Sequence, residues 1–182
     1  MNMAMCIIML SASYMYPTNL SIVSTASYPL LLYCILDIAG NSWDMVIHHI
    51  STIIVCLTLH NTYSLQEITT TLEVTNNLMF TEVSTIFLNF IHLGYKHLLI
   101  KLGFLLTFTY FRVIKLPWIF IFNEETCYFC VDRKSYVCGS SDLCHFMWRT
   151  SIITLMLLNS MWFCKIIRKI LKKNYPKPTI KG

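Results

Sequence analysis

The sequence predicts an all-α fold, a polytopic transmembrane bundle of about five to six helices. Three observations predict it. Only 13% of the 182 residues are charged, where a soluble domain carries about 25%. Hydrophobic residues make up 55% and the mean hydropathy is +0.58. The formal charge of +5 is concentrated at one end, in Lys165, Arg168, Lys169, Lys172, Lys173, Lys177 and Lys181.

The elements follow in order. Residues 1–19 form a short apolar segment stopped by Pro17. It reads as an interfacial stretch or the tail of a further helix, and it lacks the basic start and small-residue cleavage site of a signal peptide. A single transmembrane domain spans 20–173. Its first helix is expected over Leu20–Ile38 and its second over Trp43–His60. The third is expected over Gln66–His92, and the fourth over His97–Phe122 with a kink at Pro117. The fifth is expected over Leu143–Ile170, followed by a basic tail over 174–182.

The basic run after the last helix reads as a cytosolic C-terminus by the positive-inside rule. A juxtamembrane basic run sets orientation and touches anionic lipid heads, so no nucleic-acid partner is expected. Lys96 and Lys101 put the loop between the third and fourth helices on the same side. The loop 123–144 then faces the lumen. It carries Cys127, Cys130, Cys138 and Cys144, which together with His145 are zinc-type ligands. Their loose spacing in an oxidising compartment favours two disulfides over free thiols or a metal, and no metal site or cofactor is expected. Cys6, Cys34, Cys56 and Cys164 read as small buried apolar residues.

Candidate functional residues lie inside the apolar helices. His48 and His49 are adjacent in WDMVIHHISTIIVCLTLH. Ionisable groups are costly in hydrocarbon, so each is either bonded within the bundle or functional. On a helix, His48, His49, Thr52, Cys56 and His60 share about 120° of arc, with Asp44 one turn before His48. The third helix is polar on two sides: Glu73, Asn77 and Ser84 on one, Thr75, Glu82, Thr85 and Asn89 on the other. Such a helix has to be surrounded by other helices. Arg112 and Lys115 on the fourth supply counter-charges, with Glu73 and Glu82 both open as partners and a structural ion pair as good a reading as a catalytic one. The chain has no glycine-rich phosphate loop, serine elbow or HExxH zinc motif.

These residues carry a resemblance. YPLLLYCILDIAGNSWDMVIHHISTI (Tyr28–Ile53) resembles the signature of the TLC domain, shared by ceramide synthases, translocating-chain-associating membrane proteins and other TLC-domain-containing proteins. Tyr28, Asp37, Trp43, His48, His49 and Thr52 carry the match to the synthase branch. Glu82, Ser84, Thr85, Phe87 and Asn89 in FTEVSTIFLNF resemble the non-synthase branch, as do Arg112 and Pro117 in FRVIKLPW and the helix LNSMWFCKIIRKILK. Ceramide synthases carry a His-Asp pair and a further Asp after the doublet, where this chain has Thr75, Asn76 and Met79.

The resemblance implies a multi-pass protein of the endoplasmic reticulum or Golgi that handles membrane lipids. Three readings stay open. The first is a protein that binds, senses or regulates lipids through a polar cavity lined by Asp37, Asp44, Thr52, Glu73, Asn77, Glu82, Ser84, Asn89 and Arg112. The second is a sphingolipid N-acyltransferase, with acyl-CoA as co-substrate, a long-chain amine as acceptor and His48 or His49 as catalytic base. The third is a structural subunit of a larger membrane complex, and an oligomer is compatible with all three.

Overall fold

The computed structural model describes residues 7, 10–11, 14–15, 20–39, 42–60, 76–95, 97–122 and 142–174. These residues are helical or lie in short turns, and none is in a strand. The helices are α1 (Leu20–Leu36), α2 (Trp43–His60), α3 (Val83–His92), α4 (Leu98–Phe108) and α5 (Asp142–Asn174). The all-α bundle read from the sequence is the observed fold. Two stretches, Leu98–Ile121 with 24 residues and Asp142–Lys172 with 31, are long and apolar enough to cross a membrane. Trp43–Thr58 is apolar but shorter.

Two predicted helices differ from expectation. The third is interrupted: residues 76–80 are helical, Thr81 and Glu82 form a turn, and α3 starts at Val83. The bonds through this turn are short-range, from Thr81 N to Leu78 O, Glu82 N to Met79 O and Thr85 N to Glu82 O. The Thr81 hydroxyl also donates to Leu78 O at 2.6 Å, competing with the helical ladder. The fourth helix widens rather than simply kinking. Thr109–Lys115 and Trp118–Phe122 are π-helical, and Leu116 N–H bonds to Phe111 O, five residues back. Pro117 has no N–H to give and its ring crowds the preceding turn, and wide turns on either side accommodate it.

α5 begins at Asp142, so Cys144 belongs to its first turn rather than to the preceding loop. An acidic residue at that position favours the positive end of the helix dipole.

Packing pairs α2 with α5 and α3 with α4, while α1 lies on α2. One core cluster joins Val55 of α2, Leu116 between the two π-helical segments, Phe120 of the second of them, and Trp148, Ile152 and Leu155 of α5. A second joins Leu30 and Cys34 of α1 with Cys56 and Met79. Cys34 and Cys56 are buried as expected, but Cys164 is exposed. Gly103 of α4 lets α3 approach closely: a Cβ there would lie 2.5 Å from a ring carbon of Phe87. On the outside, Leu98, Leu102, Leu106, Tyr110, Ile114 and Trp118 repeat every fourth residue and are all exposed. Without a hydrophobic force between helices in lipid, such a stripe is the expected lipid-facing surface.

Candidate functional site

Between α1, α2, α3, α4 and α5 lies a cavity of about 480 Å³, a size ordinary for small-molecule sites. Its walls mix apolar residues (Leu30, Met45, Leu88, Phe104, Phe108, Ile166) with a polar set: Asp37, His48, His49, Glu82, Ser84, Asn89 and Arg112. The helix connections bring these together. A short link joins α1 to α2, so Asp37, just past the end of α1, meets His49 two turns into α2.

His49 is buried, and its Nε2 lies 3.0 Å from Asp37 Oδ2. The Tyr33 hydroxyl donates to the same oxygen at 2.7 Å, one turn earlier on α1. Tyr33 and His49 also meet edge to face, with ring centroids 5.4 Å apart. The His48 ring lies 5.6 Å from that of His49 and 5.2 Å from the indole of Trp162. Nδ1 of each histidine is buried with no hydrogen-bond partner among the described residues.

The opposite wall is built around Arg112. Its Nη2 donates to Glu82 Oε1 at 3.1 Å and to Thr85 Oγ1 at 3.0 Å. Its Nε donates to Ser84 Oγ at 3.0 Å and to Thr81 O at 3.1 Å. Thr85 in turn donates to Glu82 Oε2 at 2.7 Å, and Phe108 lies under the guanidinium at 5.7 Å. The turn at Thr81–Glu82 makes this possible. Tightening from 3.6 towards 3 residues per turn narrows the angle between positions 82 and 84 from about 160° to about 120°. Glu82 and Ser84, expected on opposite sides, therefore reach one guanidinium.

Several expectations are corrected. Asp44 does not line the cavity: its Oδ2 accepts from Trp162 Nε1 at 2.9 Å and from Lys165 Nζ at 3.2 Å. Thr52 turns back on its own helix, its hydroxyl donating to His48 O at 2.9 Å. Cys56 sits in the apolar cluster with Leu30, Cys34 and Met79, so of the stripe expected on α2 the described side chains that line the cavity are the two histidines. Asn77 is not among the lining residues. Among the described residues Lys115 meets no carboxylate and lies over the rings of Phe80 and Phe111, at 5.4 and 5.8 Å. Glu73, Cys127, Cys130 and Cys138 lie outside the described residues, as does the side chain of His60. Cys144 is disulfide-bonded. Among the described residues no cluster of His, Cys, Asp and Glu is arranged to hold a metal ion.

Reading from sequence missed Tyr33, His92, Trp162 and Lys165, all of which line the cavity. Tyr33 and Asp37 are four apart, and Trp162 and Lys165 three apart, so each pair shares a helix face. Nothing in the sequence told which face turns inward.

A family model for the TLC domain (TRAM/LAG1/CLN8) matches residues 7–168. The chain belongs to the TLC-domain family. It is therefore a membrane protein, and its exposed apolar stripe and two long apolar helices agree with that. Searches of curated proteins and of solved structures give no significant match.

Chemically, the TLC cavity offers two different surfaces. On one, an imidazole is oriented by a carboxylate, which holds the ring in one tautomer and leaves its other nitrogen as an acceptor. On the other, a cation is already neutralised by its own protein.

Proposed function

We propose that this TLC protein binds a membrane lipid, with the polar headgroup in the cavity and the acyl chains along its apolar walls. The observation that carries this reading is the buried Nδ1 of His48 and of His49, both unpartnered among the described residues, on rings that line the cavity. A buried polar atom without a partner costs roughly 1–3 kcal/mol, and turning the ring to meet a headgroup donor in the cavity recovers that cost. The motif Glu82, Ser84, Thr85 and Asn89, which resembles the non-synthase branch, lines the same cavity and supports placing the chain in that branch. The reading puts the protein in endoplasmic reticulum or Golgi membranes, with its basic C-terminal end in the cytosol.

Lipid retention tests it. The full chain, purified in mild detergent, should carry bound lipid detectable by native mass spectrometry. His48→Ala combined with His49→Ala should lose that lipid while abundance stays close to wild type. A fall in abundance with lipid retention unchanged would mark the histidines as packing residues only.

One observation favours a second reading. The pairing of His49 with Asp37 at 3.0 Å is the geometry of an oriented general base. An N-acyltransferase would use it to take the proton from an attacking amine as the acyl-CoA thioester breaks. Incubation with acyl-CoA and a long-chain amine should give no amide if the lipid-binding reading holds. Amide formed by wild type and lost in His49→Ala would replace it with the acyltransferase.

A further inference from the structure

The lining of the cavity reaches one end of the bundle, at His92 and Lys165, and that end carries exposed positive charge. α2 and α5 run antiparallel, since Asp44 meets Lys165, His48 meets Trp162 and Val55 clusters with Ile152. The start of α2 therefore lies beside the C-terminal part of α5. A turn through Gly94, whose φ of 95° suits only glycine, brings the end of α3 beside the start of α4. His92 and Ser84 both line the cavity, about two turns or roughly 12 Å apart along α3. It thus runs inward from the end near His92 and Lys165 to the Arg112 cluster.

The helix ends on that side carry Lys165, Arg168, Lys169 and Lys172 of α5 and Lys101 of α4, all exposed. Of these, Lys165 alone lines the cavity. It is 59% exposed and, among the described residues, gives one hydrogen bond, to Asp44. An ammonium has three donors, so two remain. Asp44 would not be stranded if Lys165 turned away, because the Trp162 indole and the Ser42 hydroxyl also donate to it. Exposed pairs of this kind are weakly held. Deeper in, Arg112 is already paired with Glu82. The cation an entering ligand meets is Lys165, and the walls beyond it are apolar at Leu88, Phe104 and Ile166.

Resting on the lipid-binding reading above, we propose that the mouth selects a phospholipid with an anionic headgroup. Lys165 exchanges Asp44 for a headgroup oxygen, and the neighbouring cations of α5 raise the local concentration of anionic lipid.

The test uses the full chain in nanodiscs of phosphatidylcholine doped with phosphatidylserine, followed by transfer to detergent and assay of the retained lipid by class. Wild type should be enriched in phosphatidylserine. Lys165→Ala should lower that enrichment about fivefold, the effect of one basic residue near a lipid head, and Lys165→Arg should keep most of it. Arg168→Ala with Lys172→Ala, at the same helix end but outside the cavity, should change it less than Lys165→Ala alone. Equal losses would mean diffuse surface attraction and overturn the assignment to Lys165. Inorganic phosphate added as competitor should leave the lipid in place, and displacement would assign the mouth to a soluble anion instead. Retention of lipid with no class preference would uphold the lipid-binding reading and overturn this one. Retention of no lipid would overturn both.

Discussion

The two polar walls of the cavity face the same space and are built in different ways. Around Arg112, donors and acceptors answer one another: the guanidinium reaches a carboxylate, two hydroxyls and a backbone carbonyl, and Thr85 closes the ring back to Glu82. Around His49, one nitrogen is held by Asp37 and the other, like Nδ1 of His48, has no partner among the described residues. Both walls carry ionisable groups in a membrane helix, which alone would mark either as a functional site. The extent of engagement separates them. Nε and Nη2 of Arg112 are taken up and hold α3 against the π-helical stretch, and of the five guanidinium N–H only the two on Nη1 remain. The histidine wall is the more open and keeps hydrogen-bonding capacity on both rings that something else can take up.

The comparison breaks most readily at Arg112. Arg112→Met should leave the Glu82 carboxylate buried and unpaired, at a cost of about 3–5 kcal/mol, enough to lower abundance sharply. Combining it with Glu82→Gln should recover a good part of that loss, because two neutral groups no longer demand each other. Denaturant titration of the purified variants measures both. A single variant that is nearly as stable as wild type, and yet loses lipid, would move Arg112 from the scaffold to the binding surface.

A smaller effect is expected one step back from the same wall. Gly103→Ala would place a methyl 2.5 Å from Cε1 and 2.8 Å from Cδ1 of Phe87, so the ring or the helix has to give. Overpacking of this kind costs about 1–3 kcal/mol. Thermal stability in detergent should fall, with lipid selectivity kept, if the α3–α4 seam is purely structural. A change of selectivity at unchanged stability would show that the seam sets the cavity's shape.

How far the sequence speaks differs along the chain for physical reasons. α2 and α5 are readable because long apolar runs with polar ends leave no other element possible in a bilayer. The ion pair of Arg112 was foreseeable as to kind, since an intramembrane Arg needs a carboxylate, but its partner was not. Choosing Glu82 depends on the tight turn at Thr81, whose cause is a local contest between a hydroxyl and a backbone N–H for Leu78 O. The π-helical turns beside Pro117 were invisible for a similar reason: proline announces a defect, and packing decides its form. Asp44 lies one turn before His48 along α2, yet the carboxylate that meets the doublet is Asp37, brought there by the reversal between α1 and α2. Proximity along a helix was legible, and proximity across a turn was not.

The smallest expected effect probes how wide the open wall is. Thr52 stands one turn from His48 on the polar stripe that the sequence suggested, yet its hydroxyl donates to His48 O at 2.9 Å rather than into the cavity. That bond is additional to the helical ladder, so removing it leaves the carbonyl with its backbone donor. Thr52→Val keeps the size and the branching. It should shift stability by no more than about 0.5 kcal/mol and leave lipid retention unchanged. Loss of bound lipid with stability intact would mean that the hydroxyl turns towards the ligand once the cavity is filled. The open wall would then extend a full turn along α2, beyond the two histidines.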